Sequence, residues 1–189
     1  MKIVLGSASP RRSELLSQMG FEFRILKADC SEEFDASSSP EKIVLSIAKQ
    51  KAEALKTVVQ PDELLICADT IVYLNNEVIG KPIDTDDAIS LLHKISGKKH
   101  DVYTGVVLNQ GDKSSSFAVK TSVYFRKLSS VEIEHYVTHF NPLDKAGSYG
   151  IQDWIGLIGV ERIEGSYANV MGLPTQELFL TLQELTSPK

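Results

Sequence analysis

Residues 6 to 16 read GSASPRRSELL, and the chemistry in that stretch rests on two adjacent arginines. Pro10 suits a first helical position, because it lacks the N–H that would otherwise go unbonded there. Ser9 stands where a helix cap belongs, its hydroxyl able to accept from an exposed amide. Leu15, Leu16 and Met19 follow at helical spacing. The first turn therefore holds Arg11 and Arg12, although the positive end of a helix disfavours a cation by roughly 0.3–1 kcal/mol. TDDAISLLHKISG at 85–97 signals another helix and places Asp86 and Asp87 in that turn, as the dipole favours. Two arginines at a helix N-terminus call for an anion. On that basis, replacing either with alanine should leave the unliganded protein as stable as before, or slightly more so.

Other charged residues also stand in apolar surroundings. A helix opened by Ser39-Pro40 carries Ile43, Val44, Ile47, Ala48 and Leu55 on one half of its circumference, and Lys51 falls near the middle of that half. LLICADTIVYL at 64–74 places Asp69 between two apolar runs, where a carboxylate needs a partner or a position at a cleft. Gly80-Lys81-Pro82 adds a cation, and Glu32 and Glu33 lie in the acidic stretch 27–40. A lysine snorkelling from a packed face and an aspartate bonded to backbone amides are the ordinary alternatives.

Together, Arg11, Arg12, Lys51 and Lys81 with Glu32, Glu33 and Asp69 suit a metal-bound polyphosphate. Mg²⁺ prefers a few carboxylates plus phosphate oxygens and water, so no dense histidine or cysteine cluster is required. The four histidines are given no ligand role. No GxxxxGK[ST] loop or strand-following GxGxxG occurs. Cys67 sits mid-strand with no indicated base and is not read as a nucleophile. DKAGSYGIQDWIG at 144–156 is either a ligand loop or a turn-rich connector.

These residues belong to a chain of 189 residues with a net charge of −5, 42% hydrophobic and 24% charged. Such a chain suits one domain, 1–189, or two small lobes. The acidic balance argues against a nucleic-acid partner. Cys30 and Cys67 match no metal or disulfide framework and read as reduced thiols. The apolar start is cut short by Gly6 and Arg11-Arg12, and no stretch is long enough to span a membrane. The expectation is a cytoplasmic protein with no membrane attachment.

The positioning elements alternate between strand and helix. Strands are expected at 2–6, 21–26, 64–74, 77–80, 100–109, 116–128 and 156–163, with hairpins at Asn75-Asn76 and around Gly111. Helices are expected from Pro10, from 40 to 55, from 85, from Ser129 to about His139 and at 174–185. Ser129 with Glu132 has the capping-box pattern, and Asn141-Pro142 stops that helix. The class is α/β, a mixed twisted sheet with flanking helices.

SASPRRSELL, CADTIV with GKP downstream, DVYTGV, LDKAGSYGIQ and IEGSYANVMGLP occur in this order over nearly the whole chain. In these motifs the sequence resembles the Maf family of nucleoside triphosphate pyrophosphatases. The resemblance implies an elongated two-lobed fold with a central cleft, similar to inosine-triphosphate pyrophosphatases. It implies hydrolysis of a nucleoside triphosphate to the monophosphate and pyrophosphate with a divalent cation, Mg²⁺ or Mn²⁺. Asp69 resembles the catalytic proton acceptor, and Arg12, Thr70 and Gln152 resemble the positions that choose the base, in the branch acting on dTTP and UTP. Ser7, Arg11, Lys51 and Lys81 match other polar positions, with Glu32 and Glu33 as metal ligands beside Asp69. After GIQ, Asp153 stands where the family commonly has glycine. A homodimer and an association with inhibition of septum formation also follow from the resemblance. The rival reading is a regulator that senses nucleotides without turnover.

Overall fold

The alternating strands and helices form a seven-stranded mixed sheet in the computed structural model, which describes residues 2–186. In chain order the elements are β1 (Lys2–Leu5), α1 (Pro10–Gln18), β2 (Phe23–Ile25), α2 (Pro40–Leu55), β3 (Glu63–Leu74), β4 (Glu77–Ile79) and α3 (Thr85–Ile95). They continue with β5 (Lys99–Gln110), β6 (Lys113–Phe125), α4 (Ser130–Phe140), α5 (Trp154–Gly159), β7 (Val160–Glu164), α6 (Tyr167–Met171) and α7 (Thr175–Thr186). The strand order is β2-β1-β3-β5-β6-β7, with β4 added to β3. β1 runs parallel to both β2 and β3, whereas β4 is antiparallel to β3 and β7 to β6.

The chain makes two compact units. One comprises Met1–Asp69, Thr104–Val119 and Gly172–Lys189, and the other Thr70–Tyr103 and Lys120–Met171. Three strands therefore change unit along their length: β3 after Asp69, β5 after Tyr103 and β6 after Val119.

In the first unit, Val4, Ala48, Ala52, Leu55, Leu65, Cys67 and Val107 form a buried cluster that holds α2 against the strands. The helix comes very close at Gly105, where a Cβ would lie 2.7 Å from the Val44 carbonyl carbon. Any side chain at 105 would push α2, and Lys51 with it, off the sheet. In the second unit, α3 packs against α4 and against the 3₁₀ turn Ala146–Ser148, and α4 packs against α5. Tyr136, Ile133, Leu92 and Ile155 are among its fully buried side chains.

Two expectations fail locally. Residues 156–159, read as the start of a strand, are the end of α5, and the strand begins at Val160. An apolar GLIG run has no period that separates helix from strand. The short helix α6 was also not expected. At α1, Ser9 occupies the cap position but its hydroxyl makes no capping bond. The Ser9 N–H instead donates to Ser7 Oγ at 3.2 Å. The other helix signals hold: Asp86 and Asp87 stand in the first turn of α3, and Ser129 and Glu132 close a full capping box on α4. Asn75 and Asn76 both take left-handed conformations between β3 and β4, as a two-residue hairpin requires.

Candidate active site

Asp69 lies on β3 and is nearly buried. Its partner is Lys51, which the apolar stripe of α2 turns inward: the lysine side chain is only 11% exposed. Instead of snorkelling to solvent, Lys51 Nζ donates to Asp69 Oδ1 at 2.6 Å. The same ammonium lies 3.1 Å from Glu32 Oε1, in the loop between β2 and α2. Glu32 takes a left-handed backbone conformation there, φ 53°. That loop is also pinned through Glu33, whose carbonyl accepts from Gln50 Nε2 at 2.6 Å. The Glu33 side chain is exposed and makes no ion pair among the described residues. Asp69 Oδ2 takes no hydrogen bond among the described residues, so Lys51 orients the carboxylate by one oxygen and leaves the other available.

Arg12 is buried, and its guanidinium is held from two directions. Nε donates to the carbonyl of Gly172 at 2.7 Å, and Nη1 donates to Ser7 Oγ at 3.0 Å. Burial lowers the pKa of this guanidinium from its ordinary value, and the nearby Asp69 carboxylate offsets part of that effect. The expectation that anion binding alone explains both arginines is therefore corrected for Arg12, which is built into the fold. Arg11 is half-buried. Ser7 Oγ accepts from both Arg12 and the Ser9 amide, which uses its two lone pairs and leaves its own hydrogen to donate. Cys67 is fully buried, and burial pushes its thiol up to about 12. A thiol so held is inert as a nucleophile.

Thr70, Lys81 and Gln152 belong to the second unit. Lys81 is exposed and makes no ion pair among the described residues, while Thr70 is half-buried on β3. The residue before Lys81 and the loop 144–153 are joined where Gly147 N–H donates to the Gly80 carbonyl at 3.0 Å. Gly147 has φ +70°, and a Cβ there would lie 2.9 Å from Val72 Cγ2, so the turn needs glycine twice over. Gln152 is half-buried, and its Oε1 is buried with no hydrogen-bond partner among the described residues. An amide oxygen left in that state costs free energy unless a donor arrives.

Asp153 is part of this loop's framework. Its Oδ2 accepts from the buried Tyr136 hydroxyl at 2.6 Å, its N–H donates to the Gly150 carbonyl, and Lys145 Nζ stands 3.8 Å away. The Tyr136 hydroxyl in turn accepts from Gly150 N–H at 3.0 Å. Burial, reinforced by the Asp153 bond, raises the Tyr136 pKa. Sequence reasoning did not foresee this phenol, nor the Gly172 carbonyl that anchors Arg12. The reading that the histidines lack an HxxxH or similar ligand spacing is also corrected: His135 and His139, in HYVTH, stand four residues apart on α4.

The donor set can be tested against a divalent cation. No group of three His, Cys, Asp or Glu residues suited to a metal exists among the described residues. Glu32 and Asp69 nonetheless converge on one cationic atom, and each keeps an oxygen without a hydrogen bond among the described residues. Two carboxylates with room for phosphate and water is the donor set that Mg²⁺ accepts. The residues fit.

The chain from 2 to 185 matches the family model described as Maf-like protein. It is 48% identical over 185 residues to the dTTP/UTP pyrophosphatase of Bacteroides fragilis, covering 97% of this chain and 96% of that one. To the dTTP/UTP pyrophosphatase of Phocaeicola vulgatus it is 50% identical over 185 residues, with the same coverage. Among solved structures, a HAM1 protein from Coxiella burnetii superposes with a TM-score of 0.51 at 12% identity, covering 97% of this chain and 99% of that one. This last likeness is one of fold.

Proposed function

The chain belongs to the Maf-like protein family, and on that premise we propose that it hydrolyses dTTP and UTP to the nucleoside monophosphate and pyrophosphate. The observation that carries the reading is the Lys51–Asp69 pair, which holds one carboxylate oxygen and leaves the other without a hydrogen bond among the described residues. In the reaction a water oxygen bonds to the α-phosphorus as the bond to the bridging oxygen of the β-phosphate breaks. Asp69 Oδ2 orients that water and takes its proton. Pyrophosphate leaves with the electron pair of the broken bond.

The polyphosphate is held by the Ser7 hydroxyl, by the amides at the start of α1 and by Arg11, Arg12, Lys51 and Lys81. A helix N-terminus with outward amides is a ready anion site, and cations placed near the leaving group offset its growing charge. Gln152, with Thr70 and Arg12, reads the pyrimidine. Its unpartnered Oε1 is an acceptor suited to the N3–H that uracil and thymine share. Glu32 and Asp69, with Glu33 next in the chain, would hold Mg²⁺ or Mn²⁺, and the bound ion supplies Lewis-acid charge stabilisation at the phosphates.

No helix among the described residues is long and apolar enough to cross a membrane; action on nucleotides in the cytoplasm is part of the proposed reading. The deciding experiment is to incubate the purified chain with each nucleoside triphosphate and Mg²⁺ and identify the products. Pyrophosphate with dTMP or UMP is the expected result. Orthophosphate release would make it a phosphatase. Binding without products would favour a nucleotide sensor, the reading linked to septum formation.

A further inference from the structure

His135 and His139 on α4 lie outside every role assigned so far. Both are exposed, and their spacing of four residues puts them on one face of the helix. Their ring centroids are 4.3 Å apart. His139 Nδ1 lies 2.8 Å from the His135 carbonyl oxygen. A carbonyl oxygen only accepts, so Nδ1 carries the hydrogen, and in the neutral ring Nε2 holds the free lone pair. This is the arrangement in which metal-binding histidines occur, one nitrogen tied to a backbone oxygen and the other left to the metal. The His135 ring also stands edge-on to Trp154, with centroids 4.9 Å apart, so its position is limited before any ion arrives.

We propose that His135 and His139 form a two-histidine site for a transition-metal ion, taking Cu²⁺ ahead of Ni²⁺ and Zn²⁺. Imidazole nitrogen suits these ions, and Cu²⁺ leads their affinity order. The location adds to the preference, because His139 lies in the last turn of α4, where the carbonyl end of a helix favours positive charge. No group of three or more His, Cys, Asp or Glu residues suited to a metal exists among the described residues, so water or an external ligand fills the remaining positions. This donor set is nitrogen, unlike the all-oxygen set of Glu32 and Asp69, and the two sites should sort ions accordingly.

Trp154 is the only tryptophan of the chain, so its fluorescence reads this site directly. Cu²⁺ is titrated at pH 8 into the full chain without an affinity tag, and the emission is followed. Saturable quenching is expected, with no response to Mg²⁺. Replacing one of the two ligands, His135→Gln or His139→Asn, should move the half-quenching concentration up by roughly 10²-fold, because the second bond is then no longer intramolecular. Equal quenching curves for the parent and both variants would overturn the proposal. Electron paramagnetic resonance of the parent Cu²⁺ complex tests it without any substitution. Splitting from two imidazole nitrogens supports the site, and splitting from one or none overturns it.

Discussion

Lys51 Nζ lies between Asp69 Oδ1 and Glu32 Oε1, at 2.6 and 3.1 Å, so a single ammonium ties β3 to the loop after β2. Both Lys51 and Asp69 have side chains little more than a tenth exposed. Removing the lysine strands a carboxylate that water barely reaches. Lys51→Ala should therefore lower the stability of the metal-free protein by about 3 kcal/mol, the lower end for breaking a buried pair. Mg²⁺ should recover part of that loss in the variant, because a cation can then sit between the same two carboxylates. Urea unfolding with and without Mg²⁺ measures both effects. No loss in the metal-free variant would show that the pair is solvated.

Asp69→Asn keeps the shape of the side chain and removes its capacity to take a proton. Turnover should fall by about 10² to 10⁴, the usual worth of a positioned base. Nucleotide binding, followed by calorimetry, should largely persist. Near-parental turnover by the variant would remove Asp69 from the proton transfer.

Arg12→Ala should weaken the fold before any substrate is added. Its Nε satisfies the buried carbonyl of Gly172, and its Nη1 bonds Ser7. An acceptor left unpaired costs about 1–3 kcal/mol. Thermal melts of the nucleotide-free protein should show this loss for Arg12→Ala. An unchanged melting temperature would return Arg12 to a role in binding alone.

Gln152→Ala should lower kcat/KM for UTP more than for CTP and narrow the gap between them. On the proposed reading, the unpartnered Oε1 would accept from N3–H of uracil, which cytosine lacks. The methyl group of thymine is worth only about 1–3 kcal/mol in a pocket, so dTTP should follow UTP. Equal losses on every nucleotide would mean that Gln152 shapes the loop instead.

His100 supplies a pH dependence. It is buried against Phe125, with Nε2 2.8 Å from the Tyr149 hydroxyl, and burial lowers its pKa to about 4. Between about pH 4 and the ordinary histidine value near 6.5, the unfolded chain binds a proton that the folded chain refuses. Stability from this residue is therefore complete above about pH 6.5 and falls as the pH drops, by about 3 kcal/mol in all. Urea unfolding across pH 4.5 to 7.5 should show a shallower slope for His100→Gln. The same slope in both proteins would assign the dependence to other groups.

Several features were legible because the sequence carries both partners of a local interaction. Ser129 and Glu132 sit three residues apart and close their own capping box, and Asp86 and Asp87 stand in the first turn of α3 as its sequence places them. Lys51 was legible as a charge on an apolar face, yet its choice between solvent and a carboxylate depended on residues 18 and 19 positions away. Arg12 was misjudged for a related reason. Its acceptor is a backbone carbonyl, and every residue has one, so nothing in the sequence marks Gly172 as the partner. Residues 156–159 were misread because Gly, Leu and Ile in so short a run fit either period.

The bond between Arg12 and Gly172 also fixes when the first unit can be finished. Its two ends are 160 residues apart in the chain, and the unit draws its last segment from Gly172 onward. As the protein emerges from the ribosome, α1 and its guanidinium are made 160 residues ahead of the carbonyl that receives them. Until then the carbonyl that receives Arg12 Nε has not been made, and the guanidinium has no place in a core. The first unit is thus completed only after all of the second, Thr70–Tyr103 and Lys120–Met171, has been made.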